Sequence, residues 1–223
     1  MRLTLERFFV KICGVTSEED ALMSVGFGAS AIGFVFAPSP RQVSPADVHD
    51  IVRRLPAETI TVGVFRNELP ERVAEIANQI GLHAVQLQGN ETLEQVRFVA
   101  ERVRTVIRAL PVSSDRLEAI DHADLDYLHL DGDAPGSGRT HSWSVFDRHV
   151  FRTPVIAAGG LNPENVIEVV RDLPVFGVDV SSGVESAPGV KDPAKVADFI
   201  TNARWAYEQR DSAIDDVPFD WSR

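Results

Sequence analysis

Short apolar runs alternate with longer amphipathic stretches along the chain. Eight runs read as strands: Phe8–Cys13, Ala31–Phe36, Ile60–Phe65, Ala84–Leu87, Thr105–Arg108, Tyr127–Asp131, Val155–Ala158 and Val175–Val180. Most are near-continuously apolar, as parallel strands covered on both faces are. Between them, Ser17–Val25, Val48–Leu55, Arg72–Ile80, Leu93–Val103 and Asn165–Leu173 space their apolar residues for one buried helix face. Thr16 with Glu19 and Thr92 with Gln95 have capping-box spacing. Ser44-Pro45, Asn162-Pro163 and Asp192-Pro193 each set a capping side chain before a proline suited to the first helical turn. Strict alternation of eight strands and helices predicts α/β architecture with a single parallel sheet closed into a (β/α)8 TIM barrel. The alternative, an open doubly wound sheet, would carry a glycine fingerprint after the first strand, where Gly14 stands alone.

Two segments depart from the alternation. After the sixth strand, DGDAPGSGRTHSW is rich in turn formers and only a short helix follows it, which reads as an active-site loop. From Trp205 onward the chain has five acidic and two basic residues and little periodicity. The expected division is a barrel over residues 1–204 and an acidic tail over 205–223, whose Phe219 and Trp221 could pack on the barrel or on a neighbour.

Composition narrows the class. Cys13 is the only cysteine among 223 residues, so an internal disulfide is excluded and a reducing cytoplasm is expected. The first residues lack the apolar core and cleavage site of a signal peptide and read as folded protein. With 22 Lys+Arg against 33 Asp+Glu, the formal charge of −11 argues against a nucleic-acid or anionic-membrane partner. A small anionic ligand stays open, because one arginine and a few backbone amides can set a local potential.

In such a barrel the carboxyl ends of the strands face one site. Those ends offer Cys13-Gly14, Arg41 after two prolines, Asp131, Gly159-Gly160-Leu161-Asn162, and Asp179-Val180-Ser181-Ser182-Gly183. The glycines and serines of the last two loops permit close backbone approach, and this pair of loops is the usual phosphate site of the fold; ordinary tight turns are the alternative for either loop alone. Cys13 is either a small buried residue or a general base, and Lys11, on the same inner face by period-two geometry, would favour its thiolate. Asp131 ends an apolar strand that could raise its pKa and make it a proton donor; capping a loop is the other possibility. Arg41 is either a carboxylate clamp or a surface arginine. An acid and a base at one mouth suit a proton-shuttling isomerisation. The six histidines form no pair at ligand spacing and no strand end offers a cluster of His and carboxylate, so no metal is expected.

Taken together, Lys11-Ile12-Cys13-Gly14, Ser39-Pro40-Arg41-Gln42-Val43, Val62-Gly63-Val64-Phe65, Val85-Gln86-Leu87-Gln88-Gly89, Gly136-Ser137-Gly138-Arg139-Thr140, Gly159-Gly160-Leu161-Asn162-Pro163 and Val178-Asp179-Val180-Ser181-Ser182-Gly183-Val184-Glu185 resemble the phosphoribosylanthranilate isomerase family of tryptophan biosynthesis. The resemblance runs in order from about residue 9 to residue 204. It implies a cofactor-free Amadori rearrangement of a small phosphosugar-anthranilate substrate by a monomer or homodimer. By the same resemblance, Asp131 is the general acid and Cys13 the general base. Arg41 holds the anthranilate carboxylate, the loops of Gly159, Gly160, Ser181, Ser182 and Gly183 hold the phosphate, and Asp179 lines the pocket near the sugar. Gln88 departs from a histidine common in the family, His141-Ser142 depart from a phenylalanine and an acidic or amide residue, and Asp133 is a rival for the acid. Alternatives are a catalytically silent phosphosugar-binding barrel and the histidine-pathway isomerase. Cys13 in place of an aspartate, and Phe65-Arg66-Asn67-Glu68 in place of a second phosphate loop, argue against the latter.

Overall fold

The structure is a computed structural model that describes residues 8–121, 125–132 and 143–210. The expected folded character of residues 1–7, the rival acid Asp133, the loop across 133–142 and the tail from residue 211 lie outside these residues.

Eight parallel strands close a barrel in chain order. They are β1 (Phe9–Cys13), β2 (Ala31–Val35), β3 (Ile60–Phe65), β4 (Ala84–Leu87), β5 (Val106–Pro111), β6 (Tyr127–Asp131), β7 (Val155–Ala158) and β8 (Gly177–Val180). The helices between and after them are α1 (Glu18–Gly26), α2 (Pro45–Val52), α3 (Pro70–Ile80), α4 (Leu93–Ala100), α5 (Leu117–Asp121), α6 (Val145–Arg148), α7 (Val166–Asp172) and α8 (Pro193–Glu208). The barrel closes where β1 pairs β8, with Lys11 opposite Asp179. A short antiparallel hairpin, β9 (Glu185–Ala187) and β10 (Val190–Lys191), intervenes between β8 and α8, and the hydrophobic pattern gave no sign of it.

Every expected strand is present, and the ends differ by a few residues. Helix starts follow local capping chemistry. Ser44 and Asp192 cap α2 and α8, and Thr92 with Gln95 closes a full capping box on α4. Two expected caps are corrected. Ser17, not Thr16, caps α1 by accepting from the Asp20 amide, while the Thr16 hydroxyl donates to the Gly189 carbonyl in the turn between β9 and β10. Asn162 accepts from the amides of Glu164 and Asn165, so it caps a turn that precedes α7 rather than α7 itself. At the C-terminal end, α8 runs through Trp205 to Glu208, past the expected boundary at 204.

Two apolar cores result from strand alternation. Val10, Ile12, Val85, Leu87, Leu128, Leu130, Val178 and Val180 point outward and pack against the helices. Phe9, Ala31, Ile60, Val62, Ala84, Ile107, Tyr127 and Ile156 point inward and plug the floor of the barrel. Above that floor the inward residues of β1, β4, β6 and β8 turn polar.

Candidate active site

Continuing the alternation up β1, β4, β6 and β8 gives a middle tier of Lys11, Gln86, His129 and Asp179, all buried. The Lys11 ammonium donates to Asp179 Oδ1 at 2.9 Å and to Gln86 Oε1 at 3.1 Å. Asp179 Oδ2 lies 2.8 Å from His129 Nε2. Burial opposes the charge on Asp179, but Lys11 and the hydrogen bond with His129 outweigh it and hold the carboxyl at about 2. Burial likewise opposes the charge on Lys11, yet Asp179 and, when ionised, the nearby Cys13 keep its pKa above the usual lysine value.

The tier above holds Cys13 from β1, Asp131 from β6 and Gln88 just past β4. Together with Arg41, Gly159, Gly160, Asp179, Ser181 and Ser182 they line one cavity of about 340 Å³. Eight of the nine expected site residues therefore meet in one place, although they span positions 13 to 182. Gly183 is the exception: a Cβ there would lie 1.9 Å from the Leu161 carbonyl oxygen, so it locks the β7 loop against the β8 loop instead of lining the cavity. Gly159 and Gly160 have φ of 88° and 66°, the left-handed region that favours glycine, and a Cβ on Gly159 would come within 2.2 Å of Asp131 Oδ1. That backbone lies directly against the candidate acid.

Two expectations change in detail. Burial is the largest influence on the Cys13 thiol and pushes its pKa up; Lys11 pulls it back without cancelling the rise. The expected bias toward thiolate is therefore real in sign and outweighed in size. Arg41 does form a bidentate carboxylate contact, but its partner is internal. Its Nε and Nη2 donate to Glu185 at 2.7 and 2.6 Å. Lys191 also reaches Glu185, at 2.8 Å, and donates to the carbonyls of Cys13 at 2.6 Å and Ser181 at 3.3 Å. Glu185 and Lys191 thus tie the base, the arginine and the β8 loop together.

A second carboxylate, Glu91, does the same for the β3 and β4 loops. Its Oε1 accepts from the Asn67 amide and its Oε2 from the Gly89 amide, each at 2.8 Å. Buried Arg108 donates to Glu91 at 2.8 Å and to the Gly89 carbonyl at 2.8 Å. Sequence reasoning missed Glu185, Lys191, Glu91 and Arg108. Only Glu185 stood inside a quoted motif, and partners that reveal these residues, such as Arg41 for Glu185 and Cys13 for Lys191, lie on other elements. Among the described residues no group of three or more His, Cys, Asp or Glu could hold a metal ion, and no helix is long and apolar enough to cross a membrane.

A family model described as N-(5'phosphoribosyl)anthranilate (PRA) isomerase matches residues 10–202. An N-(5'-phosphoribosyl)anthranilate isomerase of Thermotoga maritima is 47% identical over 203 residues, covering 87% of this chain and 98% of that one. The crystal structure of phosphoribosyl anthranilate isomerase from that organism superposes with a TM-score of 0.81 at 45% identity, covering 89% of this chain and 99% of that chain. A further crystal structure, of a phosphoribosyl anthranilate isomerase in complex with reduced 1-(o-carboxyphenylamino)-1-deoxyribulose 5-phosphate, superposes with a TM-score of 0.78 at 44% identity over 89% of this chain and 99% of that one. By sequence and by fold, this chain belongs to the N-(5'-phosphoribosyl)anthranilate isomerase family.

Proposed function

We propose that the cavity converts N-(5'-phosphoribosyl)anthranilate to 1-(2-carboxyphenylamino)-1-deoxyribulose 5-phosphate with Asp131 as general acid and Cys13 as general base. The observation that carries this reading is the meeting of these two groups, from β6 and β1, in one cavity whose β7 and β8 edge is built from Gly159, Gly160, Ser181 and Ser182. Backbone amides of those loops suit the phosphate. The remaining donors of Arg41, beyond the two engaged by Glu185, suit the anthranilate carboxylate.

The Asp131 proton passes to the ribose ring oxygen, the C1–O bond breaks, and the nitrogen lone pair forms a protonated Schiff base. Cys13 then takes the proton from C2, and the C–H electrons neutralise the imine as an enolamine. Tautomerisation gives the ketone. The Schiff-base cation beside Cys13 adds to the Lys11 charge and favours the thiolate when substrate is bound. Asp179, with both oxygens engaged by Lys11 and His129, acts from beneath by keeping Lys11 charged and in place. A reducing cytoplasm suits a reaction that requires this cysteine as a free thiol.

The test is loss of fluorescence of the anthranilate adduct, together with rescue of a tryptophan auxotroph. Asp131→Asn and Cys13→Ser are expected to lower kcat by two or more orders of magnitude, roughly the contribution of a positioned acid or base. Asp133→Asn is expected to retain activity. A fully active Cys13→Ser, or the opposite pattern at the two aspartates, would overturn the assignment.

A further inference from the structure

We infer that Arg66 and Gln88, at the ends of β3 and β4, form a paired donor edge that joins the remaining donors of Arg41 in receiving the substrate's aryl carboxylate; the inference rests on the isomerase reading above. Position is the first support. In a ring of eight strands, β3 and β4 stand opposite β7 and β8, so a phosphate held by the glycine and serine loops directs the far end of the substrate toward Arg66 and Gln88. Both residues line the cavity. They are also neighbours, because the Gln88 amide donates to the carbonyl of Phe65, the residue before Arg66, at 2.9 Å.

Charge is the second support. Arg41 is engaged by Glu185 through two of its nitrogens, while Arg66 is exposed and makes no ion pair with a described carboxylate. Arg66 is therefore a cation at the cavity edge without an internal counter-charge among the described residues.

The third support is the polarity of Gln88. A lysine ammonium can only donate, so Lys11 must face the oxygen of Gln86. The amide nitrogen of Gln86 is then left to donate to Gln88 Oε1, at 2.9 Å. This leaves Gln88 with its NH₂ group as the end available for a ligand, a donor suited to a carboxylate oxygen. Lys11, three strands away on β1, thereby sets which end of Gln88 is offered. Finally, the two backbones are held in register. Glu91 grips the amides of Asn67 and Gly89, the residues that follow Arg66 and Gln88, with one oxygen each.

The probes are the reduced product analogue, reduced 1-(o-carboxyphenylamino)-1-deoxyribulose 5-phosphate, and its phenylamino counterpart without the carboxyl group, titrated into the full chain. The wild-type chain is expected to bind the carboxylated probe more tightly. Arg66→Met is expected to weaken that probe by about tenfold or more and to leave the other unchanged, the loss expected for a charged hydrogen bond. Gln88→Met is expected to show a smaller loss in the same direction, and Gln88→Glu a larger one through like-charge repulsion. In turnover, KM should rise while kcat stays within about twofold, the pattern of binding shared by ground and transition states. Equal weakening of both probes, or no weakening in Arg66→Met, overturns the inference while leaving the isomerase reading intact. Failure of the wild-type chain to bind either probe overturns both.

Discussion

The Cys13 thiol sits under opposing influences, since burial and Asp179 raise its pKa while Lys11 and Lys191 lower it, with burial the largest. A thiol must lose its proton before it can accept one or attack, so the rate of Cys13 alkylation by iodoacetamide is expected to climb with pH along a limb above the usual thiol range. Replacing Lys11 by Met removes a cation that favours thiolate, and the limb should move further up; a pH–rate profile of the two proteins checks this. A limb that moves down, or stays in place, would show that Lys11 does not act on the thiol. Reading Lys11 and Cys13 as inward neighbours needs only strand periodicity. The net direction of the thiol shift needs the depth of burial, which no local pattern contains. The same holds for Arg41: two prolines mark its loop in the sequence, but its partner Glu185 lies on the hairpin formed by β9 and β10.

Loops at the carboxyl ends of the strands have to be both exposed and well placed, and buried ion pairs beneath them satisfy both needs. Arg108 on β5 is wholly buried, and its charge is met by Glu91 and by the carbonyls of Leu87 and Gly89. Burial pulls the Arg108 pKa below the usual arginine value, with Glu91 working against that pull. Removing one member of such a pair strands the other charge, at a cost of about 3–5 kcal/mol. Glu91→Ala is therefore expected to lower stability by roughly that amount in urea titration, and to raise KM as Asn67 and Gly89 lose their common anchor. A change under about 1 kcal/mol would show that the loops hold themselves. From the sequence, Arg108 reads as the end of a strand and Glu91 as a polar loop residue before the Thr92 cap.

At the scale of the whole molecule, the C-terminal helix braces the seam where β1 and β8 close the barrel. Arg210 donates to the carbonyls of Val170, Leu173 and Val175, and Tyr207 stacks on Phe8 with ring centroids 4.8 Å apart. These contacts join the end of α8 to the α7–β8 connection and to the start of β1. A chain ending at Arg210 keeps these contacts and is the reference. A chain ending at Arg204, the boundary suggested by composition, loses those contacts and should melt roughly 5–10 °C lower. Equal midpoints in calorimetry would show that residues 205–210 contribute nothing to closure.

Eight strands, their order and the barrel were legible in the sequence because alternation is a local property: period two on strands, helical spacing between them and caps at the joins. The same count placed Cys13, Arg41, Asp131, Asp179 and the two small-residue loops at one end of the barrel, since a closed parallel sheet gathers all its strand ends there. Tertiary structure alone decided how those groups are wired. Lys11 to Asp179, Arg41 to Glu185 and Glu91 to Arg108 are contacts between residues brought together by barrel closure or across neighbouring loops, and charge pairing of that kind leaves no periodic trace. The offset of the Cys13 thiol, the internal partner of Arg41 and the polarity of Gln88 all follow from those contacts. They depend on burial and on which oxygen faces which donor, quantities that exist only once the chain has closed.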